Sequence, residues 1–398
     1  MKILVINSGS SSLKFDVFEL GEGREESLVK GLVEGIGEET PKIRLKSAKG
    51  KQDPTAIAAV DHKEALGAAM EAIRRTLTPD GEAFVPDAIG HRVVHGGSQC
   101  ASALVDDALL KILDGYCALA PLHNPPNLTG IRACLELFPG VPNTAVFDTA
   151  FHATMPDYAR LYGLPLELTE RLGIYRYGFH GTSHRYVSSE FARFAGRPLE
   201  SLKLVTLHLG NGSSLAAVSG GRSVDTTMGF TPLEGLMMGT RTGDIDAGVV
   251  LYLLEHEGMN VSEVNKLLNK KSGVLGLSGM SNDMRIVEDA MMAGNARAKL
   301  AFDVFCHRIR RAVGALAASM NGADALVFTA GIGENSDLAR QAVCDGLGVL
   351  GVKLDAELNA GRIGVNKILS TPDSRCTVAV IPTNEELMIA RDTKGLVG

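Results

Sequence analysis

The chain has 398 residues, 45% of them hydrophobic and 22% charged, which is enough for two or three domains and unlike a disordered chain or a small disulfide scaffold. Its formal net charge of −6 is too mild to point to nucleic acid or an anionic membrane, so any anion must be held locally. The 45 glycines make up about 11% of the chain against ~7% in an average protein, with few prolines, which suggests sites built by close backbone approach rather than a low-complexity linker.

The first predicted elements form a hairpin. Ile3 to Ile6 is apolar on both faces, as in a buried strand, and Leu13, Phe15 and Val17 alternate as a strand with one buried face. Between them lies Asn7-Ser8-Gly9-Ser10-Ser11-Ser12, small polar residues whose successive N–H groups form an anion-binding nest, and Lys14 in the return strand adds a point charge. An ordinary polar turn is the competing reading.

Asp87-Ala88 then leads a short strand that ends at Gly96-Gly97. Alternation puts Arg92 and Val94 on one face and His91, Val93 and His95 on the other. An Arg beside an apolar side chain at a strand's carboxyl end suits a small carboxylate with an alkyl tail, because the guanidinium fork matches two oxygens. A structural salt bridge is the alternative, and His91 and His95 read as packing residues because no third metal ligand accompanies them. Helical patterns follow at Leu109 to Tyr116, stopping before Pro121, and at Leu128 to Phe138 behind a candidate cap at Asn127. A domain junction is expected near residues 148 to 160.

Phe179-His180-Gly181-Thr182-Ser183-His184 precedes a helical pattern that ends at Gly196. With Thr182 or Ser183 as its cap, His180 falls at a helix N-terminus, where anions are favoured; zinc on the His180 and His184 pair is disfavoured because H-E-x-x-H is absent. Leu204 to Leu207, the turn His208-Leu209-Gly210-Asn211-Gly212-Ser213-Ser214 and Leu215 to Val218 repeat the opening hairpin and its nest. A long glycine-rich loop from Met228 to Gly243 carries Arg241, placed to reach a transferring phosphoryl group unless it is simply solvated. The longest helix starts near Arg297 and ends at Asn321-Gly322. Asp324-Ala325 then leads a second short strand into Gly331-Ile332-Gly333-Glu334-Asn335, the carboxyl end of a strand, where α/β folds bind ligands and where a nucleoside would fit. The plainer reading is a strand-to-helix loop capped by Asn335 or Ser336.

Two hairpins and two Asp-Ala strands in the same order predict an internal duplication, with a polyphosphate held between two facing nests. No Walker P-loop is present, and Gly346 to Gly351 matches G-x-G-x-x-G without a preceding buried strand or a following helix, so it reads as a glycine-rich connection. The six cysteines lack C-x-x-C spacing, the N-terminus shows no signal-peptide pattern, and no apolar run approaches the ~20 residues of a membrane span. A reducing cytoplasm is the expected compartment.

Three segments carry a family resemblance: Asn7 to Phe15 (NSGSSSLKF), Met228 to Arg241 (MGFTPLEGLMMGTR) and Pro382 to Glu386 (PTNEE). In this order they make the chain resemble the acetate kinases, the acetokinase family of short-chain acyl kinases, over essentially its whole length. The resemblance implies an α/β fold of duplicated ribonuclease-H-like domains of the actin, hexokinase and heat-shock ATPase superfamily, with nucleotide in the interdomain cleft. It implies domains at 1–150 and 151–385, with a C-terminal helix at 386–398 packing back on the first. The implied reaction is reversible transfer of the ATP γ-phosphoryl to acetate, giving acetyl phosphate and ADP. Mg²⁺, replaceable by Mn²⁺, is implied at Asn7 and Glu385, the substrate carboxylate at Arg92, a catalytic role at Asp148, and transition-state stabilisation at His180 and Arg241. The acetate pocket is implied at Val94, Leu122, Phe179 and Pro232. Nucleotide contacts are implied at His208, Leu209, Gly210, Asn211 and Gly212, at Asp283, Met284 and Arg285, and at Gly331, Ile332, Gly333, Glu334 and Asn335, beside the phosphate nest of Ser10, Ser12 and Lys14. A cytoplasmic homodimer, without nucleic-acid or membrane partners, belongs to the same expectation.

Acetate is already deprotonated at pH 7, carboxyl pKa values lying near ~4, so Asp148 is expected to orient a metal-bound water or an Arg rather than to act as a base. A propionate or other short-chain acyl kinase is the nearest alternative, since one methylene is worth only ~1–3 kcal/mol, although Val94 favours acetate. An actin-like or heat-shock-like ATPase switch is more remote, because it gives no reason for Arg92 beside Val94.

Overall fold

The computed structural model describes residues 1–78, 82–121 and 123–398, which divide into two compact units, Met1–Phe151 with Asn384–Gly398, and His152–Thr383. In the first, strand β1 (Lys2–Ser8) is flanked on one side by the antiparallel run β2 (Ser12–Gly21), β3 (Arg24–Glu34) and β4 (Lys42–Ser47), and on the other by the parallel strands β5 (Ala88–Val93) and β6 (Asn143–Phe147). Leu4, Ile6, Leu13, Phe15 and Val17 pack against Leu66, Ala69 and Ile73 of helix α1 (His62–Leu77). Asp61 caps that helix by accepting from Glu64 N at 2.8 Å. The helix Glu385–Val397 lies across the sheet, and Gly90 permits the contact: a Cβ there would collide with Thr393 Oγ1 and Ile389.

The Asn127 cap expected from sequence is corrected by helix α2, which spans Asn124–Leu137 with proline in its first turn. Proline is tolerated there because the first N–H groups of a helix are unbonded anyway. Asn127 therefore sits inside the helix, with its side chain free for another task.

In the second unit, β7 (Lys203–Leu209) pairs antiparallel with β8 (Ser213–Ser219), which pairs with β9 (Arg222–Thr226), while β10 (Ala325–Thr329) and β11 (Thr377–Val380) continue in parallel on the other side. The order β9-β8-β7-β10-β11 repeats β3-β2-β1-β5-β6, the ribonuclease-H-like arrangement. The repetition extends to single bonds. Asp87 N donates to Lys2 O and Asp87 Oδ2 accepts from Lys2 N, while Asp324 N donates to Lys203 O and Asp324 Oδ2 accepts from Lys203 N. The same Asp clamps the start of the central strand in both units.

Helix α3 (Gly181–Ala195) begins at a His180 whose φ is +55°, a left-handed conformation that non-glycine residues adopt rarely. This corrects the expected cap: Thr182 and Ser183 lie inside the first turn. Helix α4 (Met284–Met292) packs on α5 (Ala296–Ser319), whose Phe305, Ile309, Val313 and Leu316 form the core against Leu207, Leu326 and Phe328. The glycine cluster after β10 is the short helix α6 (Ala330–Asn335) rather than a loop, and Ser336 caps α7 (Asp337–Cys344) by accepting from Ala339 N at 2.9 Å. No helix among the described residues is long and apolar enough to cross a membrane.

Candidate active site

In the first unit the chemistry gathers at the carboxyl ends of β1, β5 and β6. Arg92, at the end of β5, places Nε 3.0 Å from Oδ1 and Nη2 2.6 Å from Oδ2 of Asp148, which follows β6 and is 1% exposed. Glu385 Oε2, at the start of the C-terminal helix, is 3.8 Å from Arg92 Nε. Burial opposes the charge of Arg92, but Asp148 and Glu385 outweigh it and raise its pKa. Burial also pushes Glu385 up to about 7, where Arg92 and Lys14 pull it down while Asp148 and Glu386 push it up.

Asn127 holds the neighbouring backbone, accepting from Val94 N at 3.1 Å and donating to Ser8 O at 2.6 Å. Val94 is thus fixed beside Arg92, and its side chain is buried. Asn7, the last residue but one of β1, pairs with Lys14 of β2, Ser10 lies in the turn between the strands and Ser12 begins β2, and Gly9 N closes that turn on Ser12 O at 2.8 Å. Ser8 Oγ is buried without a hydrogen-bond partner among the described residues. Leu122 lies outside the described residues.

In the second unit, His180 Nδ1 is 2.8 Å from Ser214 Oγ, and its ring stacks on His208 with centroids 4.1 Å apart. A Cβ on Gly212 would stand 3.6 Å from His180 Nε2 and 3.8 Å from Arg241 Nη1, so both groups converge on one glycine. Arg241 Nη1 donates to Pro232 O at 3.0 Å. Among the described residues Arg241 has no carboxylate partner, and burial lowers its pKa. Phe179 is buried, and its carbonyl lies 3.0 Å from His152 Nε2.

A cavity of about 950 Å³ in the same unit is lined by Gly210, Asn211, Asp283, Met284, Arg285, Gly331, Ile332 and Asn335. Three segments separated by many residues thus meet at one place. Leu209 and Gly333 are buried away from it, and Glu334 turns inward to accept from Ala330 N at 2.8 Å and Thr383 N at 3.3 Å. Sequence reasoning missed Asn282, Glu288 and Arg362, which also line the cavity, as well as Asn127. Asn282 adjoins the expected Asp283, but no local pattern marks Glu288 or Arg362.

The model of the acetokinase family matches residues 2–391. The chain belongs to the acetokinase family. Among acetokinase relatives, the acetate kinase of Pseudothermotoga lettingae is 52% identical, over 100% of this chain and 98% of that protein. The crystal structure of Porphyromonas gingivalis acetate kinase superposes with a TM-score of 0.92 at 41% identity, covering 100% of both chains. A propionate kinase structure from Francisella tularensis gives the same TM-score, identity and coverage. Family membership makes ATP or ADP the co-substrate.

Proposed function

We propose that the chain transfers the γ-phosphoryl group of ATP to acetate, giving ADP and acetyl phosphate, and that it also runs the reverse reaction. It is an enzyme of the acetate kinase type, and the observation that carries the substrate assignment is the geometry of Arg92. One edge of its guanidinium is committed to Asp148 through Nε and Nη2. The donors on the Nη1 edge remain for a second carboxylate, with Val94 beside them for its methyl group.

A carboxylate oxygen of acetate forms a bond to the γ-phosphorus while the bond from that phosphorus to the β,γ-bridging oxygen breaks, its electron pair leaving with ADP. No proton has to leave acetate. Charge on the equatorial oxygens is met by Arg241 and His180, preorganised donors of the kind phosphoryl transfer depends on. Asp148 then acts by holding Arg92 in register.

Mg²⁺, or Mn²⁺ in its place, would be held by the amide oxygen of Asn7 and the carboxylate of Glu385. These are hard oxygen donors, and such an ion is commonly completed by substrate phosphates and water. The residues fit: Glu385 is crowded by Asp148 and Glu386 in a buried setting, and Ser8 Oγ, which has no partner among the described residues, adjoins Asn7. When bound, the ion supplies charge neutralisation at the phosphates. A homodimer in the cytoplasm completes the proposal, testable by light scattering on the purified protein.

Propionate is a second acceptor to be weighed, because the Francisella tularensis propionate kinase is as similar as the Porphyromonas gingivalis acetate kinase. ATP consumption with acetate, propionate and butyrate, with hydroxylamine trapping the acyl phosphate, tests both readings. Trapped product highest with acetate supports the proposal; ATP turnover that ignores the carboxylate would sink it.

A further inference from the structure

The second unit contains a chain of buried hydrogen bonds that transfer itself does not require. It runs from His180 Nδ1 to Ser214 Oγ (2.8 Å), from Ser214 Oγ to His184 Nε2 (2.8 Å), from His184 Nδ1 to Thr206 Oγ1 (2.7 Å), and from Thr206 Oγ1 to the Ala216 carbonyl oxygen (3.4 Å). Ser214, His184 and Thr206 are fully buried.

Counting protons along the chain gives it a direction. A hydroxyl donates once, a neutral imidazole donates at one nitrogen and accepts at the other, and a carbonyl only accepts. Thr206 therefore donates to Ala216 and accepts from His184 Nδ1–H. Burial foremost, then His152 and His208, pushes His184 well below the usual histidine range, so its ring is neutral and Nε2 is a lone pair. Ser214 donates to that lone pair and is left to accept from His180 Nδ1–H. The opposite polarity retains the three shorter bonds but forfeits the one to Ala216.

We infer that Ser214, His184 and Thr206 are positioning residues that keep a proton on Nδ1 of His180, so that Nε2 can donate to a phosphoryl oxygen only when the ring carries its second proton. Nδ1 is the structural nitrogen and Nε2 the functional one, a division of labour seen wherever one ring nitrogen is fixed by its partner. The groups placed against His180 within this unit include the stacked His208, His184 through Ser214, and Arg241 across Gly212. His208 hangs on a separate chain, its Nδ1 2.8 Å from Ser183 Oγ and that oxygen 2.8 Å from Thr383 Oγ1. The two stacked rings are thus held by different hydroxyls.

Long-range ¹H–¹⁵N NMR of the full-length protein with ¹⁵N-labelled histidine reads the tautomers without any assay of activity. The expected result is His184 protonated at Nδ1 alone and His180 Nδ1 protonated throughout; a proton on His184 Nε2 would overturn the inference. The kinetic arm rests on the kinase reading. Thr206→Val removes the terminal hydroxyl at constant shape, and it should lower kcat about tenfold or more while leaving both KM values within about twofold, with Thr206→Ser restoring the rate. A Thr206→Val enzyme with unchanged kcat would overturn it as well. An inactive wild-type chain would fail the kinase reading and leave the tautomer result standing on its own.

Discussion

Arg92 grips Asp148 edge to edge, Nε to Oδ1 at 3.0 Å and Nη2 to Oδ2 at 2.6 Å. With Asp148 1% exposed, the pair does two separable things: it neutralises a buried carboxylate and aims the other edge of the guanidinium. Arg92→Leu is expected to raise the KM for acetate at least tenfold with little change in that for ATP, and to cost about 3–5 kcal/mol of stability by stranding Asp148. Adding Asp148→Asn should return most of the stability and none of the acetate affinity. Steady-state kinetics and urea melts of the single and double variants check both, and an acetate KM that stays put would remove the carboxylate role from Arg92.

Arg241 presents the opposite case, a guanidinium anchored among the described residues only by the Pro232 carbonyl and the Met238 sulfur. In the proposed transfer its counter-charge is the reacting phosphate, so its contribution should appear in the transition state. Arg241→Leu is expected to lower kcat on the order of a thousandfold, as loss of an arginine acting on a transferring phosphoryl does, with small changes in KM. Because no ion pair is lost, the melting temperature should hardly move. A large rise in the ATP KM at constant kcat would instead make Arg241 a ground-state binding residue.

The duplicated fold is legible in the sequence because strands and turns are local: apolar runs around small polar turns, and an Asp-Ala lead into each second strand, are periodicities a single segment can display. The start of α2 is not, because Pro125 and Pro126 look like breakers until they occupy a first turn. His180 as a left-handed residue before α3 is equally hidden, since its conformation is imposed from outside the segment. Residues brought in by tertiary packing alone, such as Asn127 between Ser8 and Val94 or Arg362 at the cavity, carry no local signal. The Ser214 relay falls between these cases: His184 stands at i+4 from His180 in the sequence, but the hydroxyl joining them comes from strand β8.

Gly331 is the second residue of helix α6, at the edge of the large cavity, and a Cβ built on it meets nothing within 4 Å. Its φ is not in the left-handed region, so alanine fits the backbone. Gly331→Ala should therefore leave stability unchanged or raise it by up to ~1 kcal/mol, since alanine is the better helix residue. If nucleotide fills the cavity, the added methyl takes its space, and the KM for ATP should rise severalfold while that for acetate holds. Thermal melts with and without ADP, beside the kinetics, check this, and an unaltered ATP KM would put the nucleotide elsewhere.

Asp16 supplies a pH-dependent prediction away from the reacting groups. It is 3% exposed on β2, accepts from Ser27 Oγ at 2.6 Å, and has its pKa raised to about 7, chiefly by burial, against the opposing pull of Ser27 and Lys30. The folded chain therefore holds this proton more tightly than the unfolded chain, whose carboxyl titrates near 3.8. Stability should fall as pH rises from about 4 to about 7 and level off above that, by at most about 4 kcal/mol. Asparagine keeps an oxygen for the Ser27 hydroxyl and never ionises. Asp16→Asn is thus expected to stabilise the protein at pH 8 and to do so by only about a quarter as much at pH 4.5, read from urea unfolding of both proteins at the two pH values. A gain of the same size at both would show that the substitution acts through packing, because the contribution of Asp16 ionisation grows with pH between the unfolded and the folded pKa.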